Sequence, residues 1–285
     1  MSDWGKGVIN NIGWGQGANN DIGWGSIYDK SNAGETLLSS GGSDFDSDYQ
    51  AVLDFATSEG ITLPSASQQE LQNQVVLSLK DKGLWNKKDA FGLFATNGNV
   101  DFALICWKRL IKMDAINSPS FSANAGFTGN GTSSYIDTLF VPATDGVNFL
   151  QDDAGISVNC SGPDFNYIVG TSSTANGNIR LRQRKEPDSQ INGTPFPFTS
   201  KTNFSGGGNL HLDRISSSQI ALQKGSNFEI YNNGSTGLTS QPIWLLRITR
   251  DRYDSNIKAF SARASFTETE KNDYDTIINT YLAAL

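Results

Sequence analysis

A single histidine, His211, is available for proton transfer in this 285-residue chain. It stands in the alternating segment NLHLDRI, beside Asn209 and Asp213 on the face opposite Leu210 and Leu212. A Ser-His-Asp set needs a serine on a nucleophile elbow, and no G-x-S-x-G segment occurs. The expectation is a solvent-facing strand histidine. Paired carboxylates are the second source of chemistry, because glycoside hydrolysis uses two acids about 5 to 9.5 Å apart with unlike pKa values. Asp145, Asp152 and Asp153 gather in one loop, Glu186 and Asp188 in another. A strand that presents acids to one face alternates them, as E-x-D-x-E does. No such run exists, and FDSD (Phe45 to Asp48) lies outside the β region. These acids read as solvated loop residues, and a non-enzymatic chain is expected.

A calcium ion would need oxygen ligands such as Asp213, Asn227 and Glu229, but no EF-hand-like spacing is present. No metal and no cofactor are expected. Arg180, Arg182 and Arg184, with Lys185, form a basic strand face suited to acidic glycans, to a neighbouring subunit or to protection of a sheet edge. The Gly-rich FSGGGN (Phe204 to Asn209) lacks the Gly-Lys-Ser/Thr of a P-loop and reads as a loop. Recognition of a sugar needs less than its hydrolysis: loop Asn, Asp and Gly groups and a stacking ring. Asp145, Asp152, Asp153, Asn203, Asn209, Tyr231, Asn232 and Asn233 have that composition and are the candidate glycan-binding residues.

Composition narrows the partners. Charged residues make up 18% of the chain against roughly 25% in an average soluble domain. The net charge of −7 disfavours a nucleic-acid partner held through phosphates. No apolar run approaches the roughly 18 residues of a membrane span. The N-terminus has neither the basic nor the apolar region of a signal peptide. Cys106 and Cys160 lack C-x-x-C spacing and read as apolar thiols.

The elements that must position these residues fall into three regions. Met1 to Tyr28 carries a ten-residue repeat, WGKGVINNIG, WGQGANNDIG, WGSIY, which holds half of the six tryptophans. Trp4, Trp14 and Trp24, with Ile12, Ile22 and Tyr28, lie among glycines that disfavour helix and have no local core. An extended path would space the tryptophans by about 33 Å. Buried in a partner they would be hot spots, so the repeat is expected to anchor the chain to another protein. Residues 29–89 hold a linker and two helices. The first is expected from about Ser47 to Glu59 and the second from about Ser67, with Glu70 completing a capping box. Val52, Ala56, Leu71, Val75 and Leu79 form their apolar stripe. It must pack on the following domain or on another copy of the chain.

Residues 90–285 read as β, with a hairpin at Asn97-Gly98 and alternating strands divided by Gly, Asn and Ser clusters. Ile156, Val158 and Cys160 share a face, as do Ile179 with Leu181, Leu210 with Leu212, Ile220 with Leu222, and Phe228 with Ile230. The segment Ile243 to Ile248 is expected to be one buried strand. A helix from Thr267, capped with Glu270, closes the chain. The fold class is mainly β: an antiparallel two-sheet jelly-roll sandwich behind an extended anchor and a small αα-hairpin.

From about Phe91 to Leu285 the chain resembles the concanavalin A-like (laminin-G-type) jelly roll of virion structural proteins in tailed bacteriophages, especially those of Bacteroidetes hosts. The residues that carry the resemblance are FATNGNVDFALICWKR, SPSFSANAGFTGNGTSSYIDTLFVPATDGVNF, HLDRISSSQIALQKG and the closing IKAFSARASFTETEKNDYDTIINTYLAAL. The Trp-Gly repeat resembles attachment segments of such proteins. The resemblance implies a fibre or decoration subunit of a head or tail, assembled in the host cytoplasm, homotrimeric through the stripe of Val52, Ala56, Leu71, Val75 and Leu79, held to other virion proteins by its N-terminus and offering the sandwich to host-surface glycans. The alternatives are a free-standing lectin-like module and a glycan-cleaving depolymerase.

Overall fold

The computed structural model describes residues 45–162, 167–171, 177–182, 189–193, 204–248 and 251–285. The Trp-Gly repeat with Trp4, Ile12, Trp14, Ile22, Trp24 and Tyr28 lies outside the described residues, as do Asn203, Arg184, Lys185, Glu186 and Asp188. Residues Ser43–Leu285 form one compact unit.

Three long helices are set by their caps. Asp46 caps α1 (Ser47–Ser58) by accepting from Asp48 N at 2.9 Å. Ser65, not Ser67, caps α2 (Ala66–Asp81), so this helix begins before the sequence expectation. The capping box of Thr267 and Glu270 opens α5 (Glu268–Ala283). Two single turns, α3 (Val100–Ala103) and α4 (Pro142–Asp145), lie between them in sequence.

The β region is an antiparallel two-sheet sandwich, as its alternation requires. The larger sheet has eight strands. They are β1 (Lys88–Leu93), β5 (Ser120–Ser122), β6 (Gly126–Thr128), β8 (Ala154–Ser161), β12 (Gly208–Ser216), β13 (Gln219–Lys224), β14 (Asn227–Asn232) and β18 (Asn256–Arg263). Their order is β14-β13-β12-β8-β18-β6-β5, with β1 also pairing β18. The smaller sheet has six strands. They are β4 (Asp114–Ile116), β7 (Tyr135–Asp137), β9 (Tyr167–Gly170), β10 (Asn178–Arg182), β11 (Gln190–Gly193) and β15 (Trp244–Leu245). Two small ribbons complete the list, β2 (Ile105–Cys106) with β3 (Ile111–Lys112), and β16 (Arg247–Ile248) with β17 (Asp251–Arg252). Ile156, Val158, Leu210, Leu212, Phe260 and Ala262 of the larger sheet share one core with Ile168, Val169, Ile179, Leu181 and Leu245 of the smaller.

A second core lies on the other side of the larger sheet. Val52, Ala56, Val75 and Leu79 of the first two helices are buried there with Tyr274, Ile278 and Tyr281 of α5 and with Phe91 and Ala259. Leu71 is partly buried against the same cluster. Of the two packings open to this stripe, the one within the chain is observed.

Three local expectations are corrected. Asn97-Gly98 does not make a hairpin, because β1 pairs with β18 and Asn97 instead exchanges hydrogen bonds with Ser65, each 2.9 Å. The strand expected over Ile243 to Ile248 is broken at Leu246, whose φ of 65° takes it out of extended backbone. Ile230 is not inward: it is half exposed on the edge strand β14.

Candidate functional site

Alternation on the larger sheet puts apolar side chains into the sandwich and polar ones on the opposite face. That outer face carries Ser157 and Asn159 of β8, Asn209, His211 and Asp213 of β12, and Ser261 and Arg263 of β18. The register places His211 opposite Ser157, Asn209 opposite Asn159 and Ser261 opposite Ser157. All of these residues are buried, because α5 covers them. Lys271, Asp275 and Asn279 recur every four residues and so share one stripe of the helix. Lys271 reaches Asp213 (3.1 Å), Asp275 reaches His211 (2.7 Å) and Asn279 accepts from Asn209 (3.3 Å). Asn272 accepts from Gln223 at 2.9 Å.

His211 is fully enclosed, which corrects the expectation of a solvent-facing histidine. The alternation was read correctly, but a helix far along the chain occupies the space assigned to water. A carboxylate only accepts, so His211 Nε2 carries the proton and donates to Asp275 Oδ1. Nδ1 then accepts from Ser157 Oγ at 2.8 Å. Arg263 fixes that hydroxyl by donating to it from Nε (3.1 Å) and Nη2 (2.7 Å). Burial pushes the His211 pKa down, aided by Arg263, against the pull of Asp275, so the imidazole is neutral at pH 7. Ser157, His211 and Asp275 thus form a hydrogen-bonded chain of triad composition. It is no nucleophile set, because Ser157 is closed to solvent and its oxygen is held by an arginine.

Asp213 anchors the start of α5. It accepts from Arg263 Nη1 (2.5 Å) and Phe266 N (2.9 Å) and pairs with Lys271. Burial works to raise its pKa, but the Arg263 and Lys271 charges overcome this and hold it below the ordinary carboxylate value. A Cβ on Gly155 would lie 2.0 Å from Arg263 Nη1 and 2.5 Å from Asp213 Oδ1, so only glycine leaves room for the pair. Asp213 is therefore spent inside the protein and cannot join Asn227 and Glu229 around a calcium ion.

Where this network reaches the surface there is a polar cleft of about 320 Å³. Its walls are Ser205 and the glycines before β12, Asn209, the β13–β14 turn with Lys224 and Asn227, and Asp275 and Asn279 of α5. The turn is a two-residue hairpin loop, Gly225-Ser226, with the glycine at φ +55° as such loops require. Lys224 Nζ donates to the carbonyls of Phe204 (3.4 Å), Ser205 and Gly206, closing the Gly-rich loop. Asn209 accepts from Asn159 at 2.9 Å. The Asp275 side chain keeps 15% of its surface accessible. Among the described residues, the cleft lining holds no aromatic ring.

The seven candidate glycan residues among those described do not converge; Asn203 lies outside them. Asn209 is in the cleft. Asp145 pairs with Arg109 (3.1 Å) and accepts from Val141 N (2.9 Å) at α4. Asp152 accepts from Ser235 Oγ at 2.5 Å and Asp153 from Ser265 N at 2.7 Å. Asn233 is buried against Arg214, which donates to it at 2.6 Å. Tyr231 is partly buried against the sandwich core and Asn232 is exposed on the edge. Arg214 and Asn209 sit five residues apart on β12, about 17 Å, so these are separate places. Lys224, Asp275 and Asn279 were not anticipated, and Asn227 only as a ligand of a calcium ion. The four-residue polar spacing on α5 was the available signal. Arg180 and Arg182 are half exposed on β10, with Arg182 over the Tyr167 ring at 4.7 Å.

No protein-family profile and no curated protein matches the chain. Among solved structures it is similar to Trypanosoma rangeli sialidase in complex with sialic acid, at 10% identity and a TM-score of 0.44, over 74% of this chain and 39% of that one. It is similar to a GH54 α-L-arabinofuranosidase at 9% identity and 0.37, over 56% of this chain and 41% of that one. It is also similar to the binding domain of botulinum neurotoxin DC in complex with SialylT, at 10% identity and 0.38, over 69% and 52%. The chain spans about two fifths of the first two proteins and half of the third.

The expectation of a non-enzymatic chain is corrected. The similar structures named above do not bear it out: they include a sialidase and an α-L-arabinofuranosidase. The criterion behind the expectation also fails physically. It required acids alternating on one strand, yet Asp213 of β12 and Asp275 of α5 gather around His211 from different elements. Strand alternation therefore excludes nothing about glycan cleavage here.

Proposed function

We propose that this β-sandwich recognises glycans through the cleft between Asn209, Lys224, Asn227, Asp275 and Asn279. The observation that carries the reading is the density of hydrogen-bonding side chains around one concave space, set on strands and a helix and not on a free loop. Such a lining suits hydroxyl-rich ligands, whose many donors and acceptors need fixed partners. The test is a titration of the full chain with host-surface oligosaccharides to millimolar concentration, following binding and reducing-end release together. Asn227→Ala should weaken binding about two- to tenfold, since one hydrogen bond to a neutral partner contributes about 0.5–1.5 kcal/mol. Binding unchanged by this variant would sink the assignment of the cleft.

The finer reading places the chain in a tailed-bacteriophage virion as a fibre or decoration subunit, anchored by its Trp-Gly repeat and assembling as a homotrimer. It is supported by the resemblance of Phe91 to Leu285 and by the regular spacing of Trp4, Trp14 and Trp24. Removal of Met1 to Tyr28 should leave the Ser43–Leu285 unit folded and abolish incorporation into particles. Normal incorporation of the shortened chain would end the anchor proposal. Light scattering at micromolar concentration checks the trimer.

A further inference from the structure

Among the described residues, the cleft lining holds one cation, Lys224, and one anion, Asp275, and they are committed differently. An ammonium has three donors. Those of Lys224 meet three backbone carbonyls, of Phe204, Ser205 and Gly206, so its charge is used to close the loop. A carboxylate has about four acceptor sites. His211 Nε2 occupies one on Asp275 Oδ1, and the side chain still opens to the cleft. The acceptor is also rigid. His211 is locked by Ser157, Ser157 by Arg263, and Arg263 by Asp213, all buried. A ligand hydroxyl therefore meets a fixed charged acceptor. A ligand carboxylate meets the Asp275 charge in a partly enclosed space, where like charges are poorly screened and the Lys224 ammonium is already engaged.

We infer that the site takes a neutral sugar that donates hydroxyl hydrogens to Asp275, and that it discriminates against carboxylated sugars. The inference rests on the glycan reading of the cleft given above and adds the ligand class.

The test uses the full chain on matched probes: lactose against sialyllactose, and neutral galactan fragments against polygalacturonate fragments. The neutral member of each pair should bind about tenfold tighter or more, the scale of a charge-assisted hydrogen bond. Asp275→Asn keeps an oxygen for His211 but loses the charge, so it should weaken neutral binding about tenfold and narrow the preference. Asn279→Asp leaves the His211 contact untouched and should widen the preference, which keeps the idea testable if Asp275→Asn does not fold. Equal or tighter binding of the carboxylated probes overturns the inference. So does neutral binding that responds to Asn227→Ala but not to Asp275→Asn; in both cases the glycan reading survives. Binding of no probe, or binding indifferent to all three variants, overturns the glycan reading itself.

Discussion

The two faces of the larger sheet are both closed to water, by opposite means. The inner face is closed by area: Ile156, Val158, Leu210, Leu212, Phe260 and Ala262 meet the apolar side of the smaller sheet. The outer face is closed by pairing: Ser157, Asn209, His211, Asp213 and Arg263 meet the polar stripe of α5. An apolar contact is graded and tolerates a change of shape. A buried charge tolerates no loss of its partner, because its desolvation is not recovered elsewhere. The outer-face pairs, with the apolar stripe of α5 in the second core beside them, decide where α5 sits and hence what the cleft contains.

The sharpest way to break this comparison is Asp213→Ala. It leaves Arg263 and Lys271 buried without their carboxylate and should cost about 3–5 kcal/mol in urea unfolding. A loss below about 1 kcal/mol would mean that water reaches the pair and that the outer face is not closed.

On the inner face, Leu212→Ala should cost about 2–5 kcal/mol, and Leu212→Met less than about 1.5 kcal/mol. That gradation is the mark of burial by area. Equal costs for the two substitutions would contradict it.

Acid should separate the faces further. Burial, with Arg263 beside it, holds the His211 pKa below its ordinary 6.5. The unfolded chain then binds the proton first as pH falls. The His211 contribution is complete above about pH 6.5 and is lost as pH falls through the lower folded value. Asp213, held below 3.8, acts in the same direction in a more acidic window. The urea midpoint should therefore drop between about pH 7.5 and about pH 5. His211→Gln should shrink that drop and Leu212→Met should not; an unchanged drop in His211→Gln would place the titration elsewhere.

The smallest effect is expected at Lys88. Its ammonium is fully buried, 3.2 Å from Ser261 Oγ and 4.4 Å from the Tyr274 ring centroid. Burial, with Arg263 and Lys108 nearby, drives its pKa well below the usual lysine value. Because the charge is already disfavoured, Lys88→Met should change stability by less than about 1 kcal/mol, in either direction, in the same urea assay. A large loss would show that the ring contacts hold a charged lysine, and the outer face would then depend on one more ion.

Much of the inner face was legible in the residues. Alternation over Ile156 to Cys160, Leu210 to Leu212 and Ile179 to Leu181 marks which side is apolar, because successive strand side chains point to opposite faces. The box Thr267 to Glu270 marks the start of α5 equally well, since a cap is a contact between near neighbours. The candidate glycan residues were legible only as a composition, and among the described ones Asn209 alone reached the cleft. Loop composition carries no information on which loops meet.

What the sequence determined by itself is therefore local: strand faces, helix ends and an antiparallel sandwich as the fold class. Tertiary structure alone decided that β1 lies against β18, that the αα-hairpin packs inside its own chain, and that α5 covers His211. Each depends on partners separated by tens to hundreds of positions, as with Asp275 and His211, which are 64 residues apart. A polar strand face reads the same whether water or a helix covers it. Only the packing of α5, driven by its apolar stripe Tyr274, Ile278 and Tyr281 into the second core, turns that face into a buried network with a cleft at its edge.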